Sequence, residues 1–199
     1  MHDSRGIKRR LMVVAAAVIA ALAGAPAHAQ VTVFTAALTG SQAAPPTPST
    51  ATGFVTVTLN QTLNTLMVTE TFSGLTGGPA SAAHIHCCSA PGVASAVAVP
   101  FPAFPASTSG TFTQLFDLTN VATFSAGFLA ANGGTAASAR AALIAGMFAG
   151  LSYSNIHNQT YPAGEISGHL IATPEPASLV LLGTGLLFVG GLARRRSRE

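Results

Sequence analysis

The sequence predicts a mainly β protein, an antiparallel sandwich carrying one short helix, and three observations carry that prediction. Runs rich in Val, Phe and Thr alternate apolar with hydroxyl side chains at a period of two, the mark of half-buried strands. Gly and Pro clusters punctuate those runs at short, regular spacing, which suits a sandwich. Between Gln30 and Thr173 the only acidic and basic side chains are Glu70, Asp117, Glu165 and Arg140. The solvent faces must therefore be dressed with Thr and Ser hydroxyls.

The chain begins with Arg5, Lys8, Arg9 and Arg10, an apolar run from Leu11 to Ala23, and Ala27-His28-Ala29 before Gln30. A charged start, a short apolar core and a small-residue site predict a Sec signal helix over residues 1–29, cut between Ala29 and Gln30. The apolar run is short of the ~20 residues a membrane span needs. The folded domain is expected over 30–172.

Within it, Val31 to Leu38 reads as a first strand. Thr39 to Thr52 holds Pro45, Pro46 and Pro48 and reads as loop, since proline cannot donate to a ladder. Phe54 to Leu59 sets Val55, Val57 and Leu59 against Thr56 and Thr58, and Thr65 to Phe72 alternates in the same way. The polar turn from Asn60 to Asn64 makes these a hairpin. After the Gly/Pro loop at 73–81 comes a strand around His84, then a strand from Val93 to Val99 stopped by Pro100, Pro102 and Pro105. Thr111 to Leu118 is a further strand, whereas 121–128 has no clear period.

Ser138 to Phe148 is the helix, with Ala139, Leu143 and Met147 on one face and Gly150 to end it. Ser152 to His157 and Glu165 to Ile171 form a closing hairpin. Beyond them, Pro174-Glu175-Pro176 precedes the uncharged stretch 177–193 and the run Arg194-Arg195-Arg196-Ser197-Arg198. That order predicts a transmembrane helix over 177–193 with its basic end in the cytoplasm.

The formal net charge of +3 belongs to the two ends of the chain. The domain between them is slightly acidic and has no Lys/Arg patch to neutralise phosphates, which excludes nucleic acid as a partner. No G-x-S-x-G elbow, Walker loop or dinucleotide fingerprint is present. Nothing in the sequence pairs Glu165 with Glu70 or Asp117 as a glycosidase would require. The expected function is therefore non-enzymatic.

Two resemblances follow from motifs already passed. Pro174-Glu175-Pro176, the apolar run and the arginine cluster resemble the PEP-CTERM sorting signal over 173–199. The resemblance implies Sec export in a Gram-negative bacterium, anchoring at the inner membrane, and processing by an exosortase. It further implies a destination at the cell surface or in the extracellular matrix, with exopolysaccharide or surface proteins as partners. Separately, Phe34 to Gly40, Ala83-His84-Ile85-His86, Tyr153 to His157 and Gly164-Glu165-Ile166-Ser167-Gly168 are similar to the ordered motifs of CHRD domains. That family implies an immunoglobulin-like β-sandwich. Ser167 stands where the family commonly has Arg, so no role of that arginine carries over.

The chemistry concentrates in one stretch. His84 and His86, two apart on a strand, share a face. His157 and Glu165, on the last hairpin, are expected close together across the strands. Three imidazoles and a carboxylate suit Zn or Cu, so a metal-binding sandwich is the alternative to an adhesion or exopolysaccharide-binding role. The competing reading makes the same histidines hydrogen-bonding parts of the fold. His169 has the strand parity to join them but lies near the domain end. Cys87 and Cys88 meet an oxidising compartment with no third cysteine. A vicinal disulfide in a turn is the first expectation, against metal ligation and cross-linking between molecules.

Overall fold

The computed structural model describes residues 31–173 and 182–188. The predicted signal helix with its Ala29/Gln30 junction, and Pro174, Glu175 and Pro176, lie outside the described residues. Alternating residues build nine strands: β1 (Val31–Thr39), β2 (Thr52–Asn60), β3 (Thr65–Ser73), β4 (Ala80–Cys87), β5 (Val97–Pro100), β6 (Gly110–Asp117), β7 (Ser152–Asn158), β8 (Ile166–His169) and β9 (Ile171–Ala172). Two α-helices stand between β6 and β7: α1 (Ala126–Ala131) and α2 (Ala136–Phe148).

The strands join in the order β5-β4-β7-β8-β1-β2-β3-β6, every pairing antiparallel, with β9 also on β1. β1 pairs with β2 along its whole length but meets β8 only at Thr39↔Ser167 and β9 at Phe34 and Thr35. The sheet curls about this shared strand. As a result Ser154 on β7 donates to the Glu70 carboxylate on β3, although other strands separate them in the ladder. The two predicted leaves of the sandwich are thus one continuous sheet, rather than the separate sheets of an immunoglobulin-like arrangement. Val55, Val57, Leu59, Leu66 and Val68 from one half meet Ala83, Ile85, Ile156 and Ile166 from the other in a single buried core.

The β2–β3 hairpin forms as the sequence predicts. The Asn60 side chain accepts from the amides of Thr62 (3.1 Å) and Leu63 (3.0 Å), and Asn64 takes φ 54°. Two segments differ from expectation. Residues 93–96 are loop because the Ser95 amide and carbonyl are taken by the Tyr153 and His86 side chains instead of a ladder. Residues 121–128 turn and enter α1, because Ser125 caps it by accepting from the Phe128 amide at 3.1 Å, so two helices replace the predicted one. α2 ends at Gly150 (φ 70°), where the Leu151 amide reaches back to the Gly146 carbonyl.

Among the described residues no helix is long and apolar enough to cross a membrane. Of the predicted span 177–193, residues 182–188 are described; they are helical and exposed, and the remainder lies outside the described residues.

Candidate functional site

On β4 and β7, Ala83, Ile85, Ser154 and Ile156 face the core, so Ala82, His84 and His86 share the opposite face with Tyr153, Asn155 and His157. The register sets His84 against Asn155, His86 against Tyr153 and Ala82 against His157. His157 is thereby the diagonal neighbour of His84. One imidazole nitrogen from each of His84, His86 and His157 lies within 4.8 Å of the other two. His84 Nδ1 and His157 Nε2 are 3.3 Å apart.

Backbone carbonyls fix two of the tautomers, because a carbonyl can only accept. His86 Nδ1 donates to the Ser95 carbonyl and His157 Nδ1 to the Pro162 carbonyl, each at 2.9 Å. Both rings then present a bare Nε2 lone pair when neutral. For His157 that lone pair accepts a hydrogen bond from His84 Nδ1 at 3.3 Å. For His86, which is 7% exposed, Nε2 is buried and has no hydrogen-bond partner.

The carbonyls are braced in turn. Tyr153 stacks on the His86 ring (centroids 4.7 Å apart, planes within 1°), and its hydroxyl accepts from the Ser95 amide at 3.0 Å. Asn155 donates to the Ala163 carbonyl at 3.0 Å and lies against Gly164 (φ 119°), where any Cβ would strike its amide. This holds the loop that carries Pro162. Burial, with His157 and His86 beside it, pushes His84 down to about 4. Burial also lowers His86 and His157, against the opposing pull of their carbonyl partners. All three are neutral at pH 7, the form in which imidazole ligates metals.

Glu165 is not with them. It lies outside β8, just after the positive-φ Gly164, so strand alternation does not govern its side chain. Its carboxylate turns instead toward Asn158 and the loops that precede β2 and β4. Oε1 accepts from Ser49 Oγ (2.5 Å) and from the Thr76 amide (2.6 Å) and hydroxyl (2.8 Å). Oε2 accepts from the Gly77 amide (3.1 Å) and the Asn158 side chain. Burial would raise this carboxyl, but the donors from Ser49, Thr76 and Gly77 hold it below its usual value. It is a tie between loops.

His169 donates to the Gly150 carbonyl at 3.0 Å and tilts against the far side of the site at Tyr153, outside the cluster. Cys87 and Cys88 are bonded to each other, and Gly146 of α2 rests on both sulfurs, leaving no room for a Cβ. A surface cleft lined by Phe101, Gln114, Phe116 and Asn120 has one ionisable group, Asp117, whose Oδ1 is occupied by the Thr119 amide and hydroxyl. Ser95 and Pro162 were invisible to sequence reasoning, since they act through carbonyls that any residue has. Tyr153 was within reach, because it shares strand parity with Asn155 and His157.

Fold and site define an antiparallel β domain with a histidine cluster on one outer face, followed by a C-terminal tail. The family model for the CHRD domain matches residues 34–170, and the chain belongs to that family. The PEP-CTERM protein-sorting motif matches residues 172–197, which makes this an exported protein of the Gram-negative type with a membrane-directed signal that exosortases process. Neither the curated proteins nor the solved structures contain a match to the chain.

Proposed function

We propose that this chain is a non-enzymatic binding domain displayed at the cell surface or in the extracellular matrix, and that its histidine cluster holds Zn or Cu. The observation that carries the metal reading is the convergence of one nitrogen each from His84, His86 and His157 within 4.8 Å, beside a buried and unpartnered His86 Nε2. A buried polar atom left without a partner is costly, and a metal ion supplies one. Elemental analysis of the purified protein is expected to give roughly one ion per chain, lost in a His84→Ala/His86→Ala variant. Substoichiometric metal unchanged by that substitution would sink the reading.

A second reading, adhesion or exopolysaccharide binding, is favoured by a different surface. Thr35, Thr56, Thr69 and Thr113 lie in register across β1, β2, β3 and β6. Exposed Phe54, Met67 and Leu115 share this outer face, where the only charge among the described residues is Asp117 at its edge. Hydroxyls interleaved with apolar side chains suit a neutral sugar polymer. Sedimentation with an insoluble neutral polysaccharide checks this, with Thr56→Lys/Thr69→Lys expected to abolish retention; equal retention of the variant rejects it. Deleting 174–199 is expected to release the domain in soluble form, and continued sedimentation with membranes would show that something else holds it.

A further inference from the structure

We infer that the histidine cluster is a single three-imidazole Zn²⁺ site, formed by His84 Nδ1, His86 Nε2 and His157 Nε2, whose fourth position is left to solvent or a small exchangeable anion. This rests on the metal-binding reading and goes further, to ligand atoms, ion and open position. The ligand atoms follow from the tautomers: Ser95 and Pro162 occupy Nδ1 of His86 and His157, so only their Nε2 atoms can ligate.

The spacing would admit the ion, which would replace the hydrogen bond between His84 and His157. Two ligands about 2.0–2.1 Å from zinc at the tetrahedral angle are roughly 3.3 Å apart. His84 Nδ1 and His157 Nε2 stand at 3.3 Å. One nitrogen of His86 lies within 4.8 Å of a nitrogen of each of the other two rings, so an inward movement of His86 closes the triangle. Its carbonyl partner Ser95 lies in the loop before β5, outside the ladder.

No fourth protein ligand is at hand among the described residues. Glu165 is saturated by donors elsewhere, and Cys87 and Cys88 are spent on each other. No other His, Cys, Asp or Glu joins the group. His84 and His157 are only part-buried, so the cluster opens to water on their side. Three neutral ligands leave the full double charge on the ion, which favours an anion at the remaining position. The disulfide marks an oxidising compartment, where copper would be Cu²⁺ and prefer a tetragonal set; three imidazoles on one side, one pair already at tetrahedral spacing, suit zinc better.

The test uses the exported protein purified with its tail, with Co²⁺ as the spectroscopic stand-in for Zn²⁺. One Co²⁺ per chain is expected, with the intense visible bands of four-coordinate cobalt, displaced by Zn²⁺ and shifted by added azide. His157→Ala and the amide-bearing His157→Gln are each expected to weaken Zn²⁺ affinity at least 100-fold, while His169→Ala leaves it unchanged. Thermal unfolding of the metal-free proteins separates lost ligation from lost fold, since Zn²⁺ raises the midpoint of the parent and not of the variants. Cobalt bands indifferent to azide, or a six-coordinate spectrum, overturn the open tetrahedral site while leaving metal binding standing. Affinity indifferent to His157 places the metal elsewhere and overturns the ligand set. No uptake of Co²⁺ or Zn²⁺ brings down the metal reading itself.

Discussion

Glu165 and the histidine triad come from neighbouring motifs of one family pattern, and the structure treats them in opposite ways. The carboxylate accepts from Ser49, Thr76, Gly77 and Asn158, and both oxygens are used. Two rings of the triad, His86 and His157, have Nδ1 fixed by carbonyls, and His86 Nε2 has no partner. A polar cluster that satisfies itself is part of the fold. One that is held rigid with a lone pair to spare is arranged for something else. The comparison makes stability the test of the first cluster and ligation the test of the second.

The largest effect is expected at Glu165. Glu165→Gln keeps the shape but turns one acceptor into a donor that faces the Gly77 amide and Asn158, or the Thr76 amide and Ser49. Loss of about 3–4 kcal/mol is expected by chemical denaturation at pH 7. The carboxyl's lowered value also fixes a sign: its contribution is present above the ordinary carboxylate range and is lost as pH falls through the folded value. A Gln variant as stable as the parent would remove the distinction drawn here.

Glu70 sharpens it, being a buried carboxyl with only Ser154 to donate and Oε1 unpartnered. Burial pushes it up to about 7, the Ser154 hydroxyl only partly opposing. Above the unfolded value of 4.5 the unfolded chain gives up the proton while the fold retains it, so stability falls with rising pH until about pH 7 and stays lower beyond. The cost is on the order of 3 kcal/mol. The parent profile mixes this with the histidines, whose lowered values pull the other way. The quantity to read is therefore Glu70→Gln minus parent, expected to swing by that amount in favour of the variant between pH 4.5 and 8. A difference that is flat with pH would show that Glu70 is not held protonated.

The sequence carried the strands well and the site only in part, for one physical reason. Alternation in β2 and β3 is a local pattern that burial enforces, so Val55, Val57 and Leu59 were read correctly. His84 and His86 were likewise placed by strand parity alone. Glu165 was misplaced because its direction depends on a glycine's positive φ and on loops more than 80 residues away, at Ser49 and Thr76. The continuity of the sheet through β1 was equally hidden, since nothing in Val31–Thr39 records which strands meet its second edge.

On the far side of the β4 end, packing leaves no slack. Gly146→Ala drives a Cβ into the Cys87 and Cys88 sulfurs, and about 2 kcal/mol of destabilisation is expected from thermal melts. Neutral behaviour there would mean that α2 does not bear on the disulfide.

The smallest effect is expected at Tyr153, and it bears most directly on the triad. Tyr153→Phe keeps the ring stacked on His86 and removes only the hydroxyl that accepts from the Ser95 amide. Stability should fall by about 1 kcal/mol, the ordinary net worth of one hydrogen bond. Ser95, however, also supplies the carbonyl that fixes the His86 tautomer. Zn²⁺ affinity should therefore drop about 10-fold, more than the stability loss would lead one to expect, because an outer partner orients the ligand. Reduced stability with unchanged zinc affinity would mean that the Ser95 carbonyl holds the His86 ring without help from Tyr153.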